Sequence, residues 1–155
     1  MASWNLKDWL EALTYLVGIV GGLSAALIYF KGVRKESITV TRNEIVRAWT
    51  NEGDISSSET IFVTLELKNS DGDLIGSLAT NKDPQPLETH ADVGWFFTEM
   101  RVSRLQSRSV LPVARVELKL TGNNNRLEWT LVGTEGSEIL PKNTVLWPSP
   151  VGVSR

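Results

Sequence analysis

The 155-residue chain contains no cysteine. That one absence excludes a disulfide framework, a thiolate metal site and cysteine catalysis. Histidine is nearly absent too, with His90 the single copy. A histidine-rich metal site or a hydrolase triad would have to pass through it. Glu88 and Asp92 flank His90 and suit it to acid–base work, but no nucleophile is spaced to partner it. The common signatures are missing as well: there is no GxxxxGK[ST], no GxGxxG after a strand pattern, no HExxH and no GxSxG. "NSDGD" at 69–73 lacks the spacing and closing glutamate of a calcium loop. The expectation is a protein that is not an enzyme and uses no metal or organic cofactor.

Charge is what the N-terminal part lacks. From Ala12 to Phe30, nineteen consecutive residues carry none. A core helix of a soluble domain shows a polar face, and this run has no such face. At about 1.5 Å of rise per residue it covers roughly the 30 Å hydrocarbon layer of a bilayer. Trp9 and Tyr29 fall near its ends, at the level amphipathic rings favour. A cleaved signal fits poorly. Lys7 is offset by Asp8 and Glu11, and the run ends in Tyr29-Phe30-Lys31 instead of small residues. The reading is a single transmembrane helix.

Lys31, Arg34, Lys35 and Arg42 follow the run, and only Lys7 precedes it. Positive-inside bias then places the remaining chain in the cytoplasm and the N-terminus outside, across the inner (plasma) membrane. "SWNLKDWLEAL" has helical spacing of Trp4, Leu6, Trp9, Leu10 and Leu13, which suits an interfacial lead-in. Gly18, Gly22 and Ala26 recur every four residues on one helix face. Such a small-residue stripe lets two backbones approach closely, so a homo-oligomer in the bilayer is expected. Residues 1–35 thus form lead-in, span and basic collar, and 36–155 form a second domain.

"KGVRKES" reads as a short polar linker. After it, period-two alternation dominates. "SITVTRNEIVRAW" offers strand residues Ile38 and Val40, then Ile45 to Trp49. "ETIFVTLEL" puts Ile61, Val63, Leu65 and Leu67 on one face, and "VARVELKL" and "RLEWTLVG" alternate likewise. Asp71-Gly72 marks a hairpin turn, and "TGNNN" marks another. "NKDPQPLETHAD", with its prolines, reads as a loop, and "GWFFTEMRVSRLQSRS" as either strand or short helix. The predicted architecture is the transmembrane helix plus a mainly-β domain, an antiparallel sandwich or small barrel of seven to eight strands. About 120 residues suffice for one core.

Charge in this domain is uneven. Glu44 to Glu99 holds eleven acids against Arg47, Lys68 and Lys82. Met100 to Arg126 holds Arg101, Arg104, Arg108, Arg115, Lys119 and Arg126 against Glu117 alone. If 96–108 is helical, Arg101, Arg104 and Arg108 share a face. Guanidinium groups pair with phosphate bidentately and stack on bases. Trp95, Phe96 and Phe97 precede them, and cations beside aromatic rings suit a nucleotide. Other readings stand beside this one: the basic residues pair with the acidic half of the domain, rest on anionic lipid, or meet an adjacent subunit.

The layout of "LVGIVGGLSAALIYFKGVRK" followed by an alternating β domain resembles small membrane effectors of bacterial antiphage systems. These include the type III CRISPR membrane effector gated by cyclic tetra-adenylate and the transmembrane β-barrel effectors of cyclic-oligonucleotide signalling (CBASS). Such effectors are usually described with two spans, and one is visible here. The resemblance implies a cyclic oligoadenylate bound between subunits of the cytoplasmic domain, with no duplex nucleic acid, and spans that reorganise to perturb the membrane. It points to Arg101, Arg104 and Arg108 for the phosphates, with Trp95 and His90 completing the ligand site. The rival reading is a membrane-tethered adaptor that docks a protein partner.

Overall fold

The structure, a computed structural model, describes residues 6–52, 61–106 and 109–149. The chain forms two compact units, Met1–Ser37 and Ile38–Arg155.

Helix α1 spans Leu6–Ile45, forty residues. In its apolar part no side is covered by protein. Leu13, Ile19, Leu23 and Ile28 are all more than half exposed. The helix is long and apolar enough to cross a membrane. The hydroxyls of Thr14 and Ser24 in this stretch are satisfied within the helix, as an apolar surrounding would require. Thr14 Oγ1 donates to the Leu10 carbonyl at 2.9 Å and Ser24 Oγ to the Val20 carbonyl at 2.8 Å.

The helix does not stop at the expected linker. It runs through "KGVRKES" and through the β-branched "ITVT". Lysine, arginine and glutamate are good helix formers and offset the cost of Gly32. Burial of one face supports the last turns. Ser37, Ile38, Thr41 and Arg42 are half-buried, and Ile45 is fully buried in the barrel core. The strand expected at Ile38 and Val40 is therefore helix, because packing of an amphipathic face outweighs β propensity.

Eight strands follow: β1 Ala48–Thr50, β2 Val63–Ser70, β3 Asp73–Thr80, β4 Asp83–Val93, β5 Thr98–Gln106, β6 Ser109–Thr121, β7 Arg126–Val132 and β8 Asn143–Pro148. Each pairs antiparallel with the next, and β8 pairs with β1, so the sheet closes into a barrel. Of the two architectures expected, the barrel is the one formed. Alternation dictates the inside. Val63, Leu65 and Leu67 of β2, Val116 and Leu118 of β6, and Leu127, Trp129 and Leu131 of β7 are buried. Barrels of this strand number are just wide enough for side chains to fill. Trp49 and Trp129 fill much of this one, and each indole N–H finds a carbonyl: Ile45 for Trp49 and Pro141 for Trp129, both at 2.9 Å. Buried Asn51 ties three segments together. It accepts from Val63 N at 2.7 Å and donates to the Ile61 carbonyl at 3.0 Å and Thr144 Oγ1 at 3.2 Å.

Two local features are written in the sequence. Asp71 and Gly72 have φ of 51° and 94°, the two positive values of a type I′ hairpin turn. Gly76 faces the interior where β3 and β2 approach closely. A Cβ there would lie 1.9 Å from the Glu66 carbonyl oxygen.

The proline-bearing "NKDPQPLETHAD" is mostly strand β4, not loop. Thr80 pairs with Asp83 and Leu78 with Leu87, so β4 carries extra residues at a register shift. Pro84 and Pro86 sit inside it, where no ladder N–H is needed. Beside them β4 has not yet met β5, whose pairing begins at Glu88. The ambiguous "TEMRVSRLQ" is strand β5, not helix.

Candidate anion-binding groove

A strand places residues three apart on opposite faces. Arg101 of β5 points outward between buried Met100 and Val102. Arg104 falls on the other face at the barrel's end. It pairs with Asp83, whose side chain is only 8% exposed. This ion pair joins β5 to the part of β4 that the ladder leaves unpaired. The shared helical face expected for Arg101, Arg104 and Arg108 therefore does not exist, and Arg108 lies outside the described residues. His90 is not in a loop. It is on β4, half-exposed, with Arg101 as its cross-strand partner. Trp95 is remote from both. It sits in the 94–97 turn between β4 and β5, stacked on Phe96 at 5.1 Å between centroids.

Register builds a different constellation. Lys68 pairs with Ile75, Ile75 with His90, His90 with Arg101, and Arg101 with Arg115. Lys68, His90, Arg101 and Arg115 thus form one row across the outer surface of β2 to β6. The neighbouring row is acidic: Asp92, Glu99 and Glu117 are successive partners. The rows pair diagonally. Arg101 meets Asp92 at 2.9 Å, Arg115 meets Glu99 at 3.2 Å, and His90 Nε2 lies 3.9 Å from Asp92. The acidic and basic blocks that are separate along the chain interleave in space, because acidic β4 lies beside basic β5.

A groove of about 430 Å³ runs along the cationic row. Arg101 and Arg115 supply its cations, His90, Ser103 and Glu135 further polar groups, and Val102, Val110, Pro112 and Ala114 its apolar floor. A second groove, of about 540 Å³, adjoins it and shares His90, Ser103 and Val110. A register shift after Val102 leaves Val113 without an opposite number. Bulges bend strands, and the outer part of the β5–β6 hairpin brings Val110 to the edge of both grooves.

Arg115 was not among the expected site residues. Its outward phase was readable in "VARVELKL", but its register opposite Arg101 was not. Gly18, Gly22 and Ala26 lie exposed along one face of α1. A Cβ on either glycine would meet nothing within 4 Å. Among the described residues, no three His, Cys, Asp or Glu side chains gather as a metal site. No protein-family model, curated protein or solved structure matches the chain.

Proposed function

We propose that the protein is an oligomeric membrane effector whose barrel, on the cytoplasmic side of the inner membrane, binds a phosphate-rich cyclic oligonucleotide of the cyclic oligoadenylate class. The observation that carries this is the row of His90, Arg101 and Arg115 beside an apolar floor. Guanidinium groups on adjacent strands receive two phosphates, while the floor takes a base. Both arginines already hold carboxylates, but their side chains are 60% and 61% exposed. Exposed ion pairs are worth only about 0–1 kcal/mol, so a ligand with several phosphates displaces them. A single phosphate gains too little against the same carboxylates. Spans associate through Gly18, Gly22 and Ala26, and the ligand acts by preferring one arrangement of barrels over another. The chain then perturbs the membrane in antiviral defence.

The test is titration of labelled cyclic oligoadenylates onto the full chain in nanodiscs. Arg101→Ala and Arg115→Ala should each weaken binding at least about tenfold, as loss of a charge-assisted hydrogen bond does. Arg126→Ala, with its guanidinium stacked 4.8 Å over Trp147 away from the groove, should not. Absence of binding across the series, or binding indifferent to both groove variants, would sink the proposal. A second reading, a tethered adaptor that docks a protein partner, draws on the ion pairs that occupy both guanidinium groups. It expects no nucleotide response. A reporter fused to the C-terminus tests the topology, and a signal from outside the cytoplasm removes the leading reading.

A further inference from the structure

The cationic row has a second neighbour, on the side away from Asp92, Glu99 and Glu117. Glu66 of β2 stands opposite Ser77, Ser77 opposite Glu88, and Glu88 opposite Ser103. Carboxylate and hydroxyl thus alternate across four strands. Each lies two residues along its strand from Lys68, Ile75, His90 or Arg101, on the same outer face. All four line the groove of about 540 Å³ that shares His90, Ser103 and Val110 with the first groove. Glu66 holds Lys68 at 3.0 Å, and Ser103 Oγ donates to the Glu88 carbonyl at 3.5 Å. Among the described residues, the Glu88 carboxylate and the Ser77 hydroxyl meet neither an ion pair nor a hydrogen bond.

A buried group in the same groove is also unpaired. Thr89 borders it and is 4% exposed, and its Oγ1 has no hydrogen-bond partner. Gly76 stands opposite Thr89. A Cβ on Gly76 would lie 3.0 Å from that oxygen, so the glycine keeps a side chain off the hydroxyl. Buried hydroxyls are nearly always paired, and one left open beside a groove points to a ligand that pairs it.

The chemistry of this line differs from that of the arginines. Ionised carboxylates only accept hydrogen bonds, whereas serine and threonine hydroxyls donate and accept. Such a set repels phosphate and suits a sugar with neighbouring hydroxyls. Acidic side chains take the 2′-hydroxyl of a ribose in dinucleotide sites for the same reason. Outward residues two apart on a strand are separated by about 6–7 Å, a step that suits the reach from a nucleotide's phosphate to the hydroxyls of its own ribose. We propose that the second groove seats the ribose of a nucleotide whose phosphate lies on Arg101, with Glu88, between Ser77 and Ser103, accepting from the 2′-hydroxyl. This rests on the reading of the cationic groove as a cyclic-oligonucleotide site. The two grooves then divide the work. Arg101 and Arg115 hold phosphates, and the Glu88 line reads the sugar as ribose instead of deoxyribose. A site built to pair a hydroxyl rejects the analogue that lacks it, because its own polar groups are left unpaired.

The test compares sugars. Labelled cyclic oligoadenylates, 3′,5′-linked so that each 2′-hydroxyl is free, and their all-2′-deoxy counterparts are titrated onto the full chain in nanodiscs. The deoxy forms should bind at least about tenfold more weakly, as expected for loss of a hydrogen bond to a charged group. Glu88→Ala should bring the two affinities close together. Removing a carboxylate also favours any anion, but it favours both forms alike, so their ratio isolates the contact. Thr89→Val keeps the branched shape of the buried side chain and should narrow the ratio with folding intact. Equal affinity of the unmodified chain for the two sugars overturns the ribose seat and leaves the oligonucleotide reading standing. A ratio unchanged in both variants does the same. Binding of neither form sinks that reading and this inference with it.

Discussion

Leu23 and Leu65 are the same residue in two regular elements, yet Leu23 is 61% exposed and Leu65 is 0% exposed. The apolar stretch of α1 has no polar side and no protein laid over it. The barrel buries its apolar side chains within itself. Hydrophobic content alone does not locate a core. A continuous run asks for an apolar solvent, whereas strict alternation builds an inside of its own. The barrel's stability comes from leaving water, whereas the apolar stretch of α1 is long and apolar enough to gain by entering lipid.

Three substitutions, and Leu23→Ala as a control, break or sharpen that contrast. The largest effect is expected of Trp129→Ala. Emptying that much of the barrel interior should cost about 3–5 kcal/mol, read as a fall in the denaturant midpoint of the detergent-solubilised chain. Leu23→Ala should leave that midpoint in place, and equal shifts would mean that the two regions share a core. Next comes Leu23→Lys. A cation at mid-span opposes insertion by about 2.5–3.5 kcal/mol, so the carbonate-resistant membrane fraction should drop while barrel unfolding is unchanged. If the Lys variant stays embedded, the anchor lies elsewhere. Smallest is Arg101→Ala. Its partner Asp92 is 65% exposed, so the barrel should lose no more than about 1 kcal/mol. A larger loss would make the cationic row part of the scaffold and not a place for a ligand.

The helix and the barrel were legible because their patterns are one-dimensional. Nineteen uncharged residues, the period-two runs of β2, β6 and β7, and the Asp71-Gly72 turn all report local geometry. The misreadings share a cause. Pro84 and Pro86 signal a break in a ladder, and the break is confined to the first residues of β4, where the pairing with β3 shifts register and that with β5 has not begun, so β4 is strand where a loop was expected. "ITVT" has strand propensity, but Ile45 belongs to the core and draws the helix with it. Arg101 and Arg104 look like a pair at helical spacing and lie on opposite faces of a strand. The groove depends on which residue of β6 stands opposite Arg101. That register is set by a bulge and by closure of the whole sheet, neither of which a single segment encodes.

The barrel is not equally strong all round. Nine residue pairs join β5 to β6, whereas β1 meets β2 through three and β8 through two. Only Val46 and Arg47 separate α1 from that three-residue strand. Tension along the helix is therefore delivered straight to the thinnest seam of the wall. Trp49, at the centre of β1 and anchored to Ile45, is the bolt that resists it. A pull along α1 would unzip this domain from its first strand and leave the β3–β6 surface, with His90, Arg101 and Arg115, the last part to open.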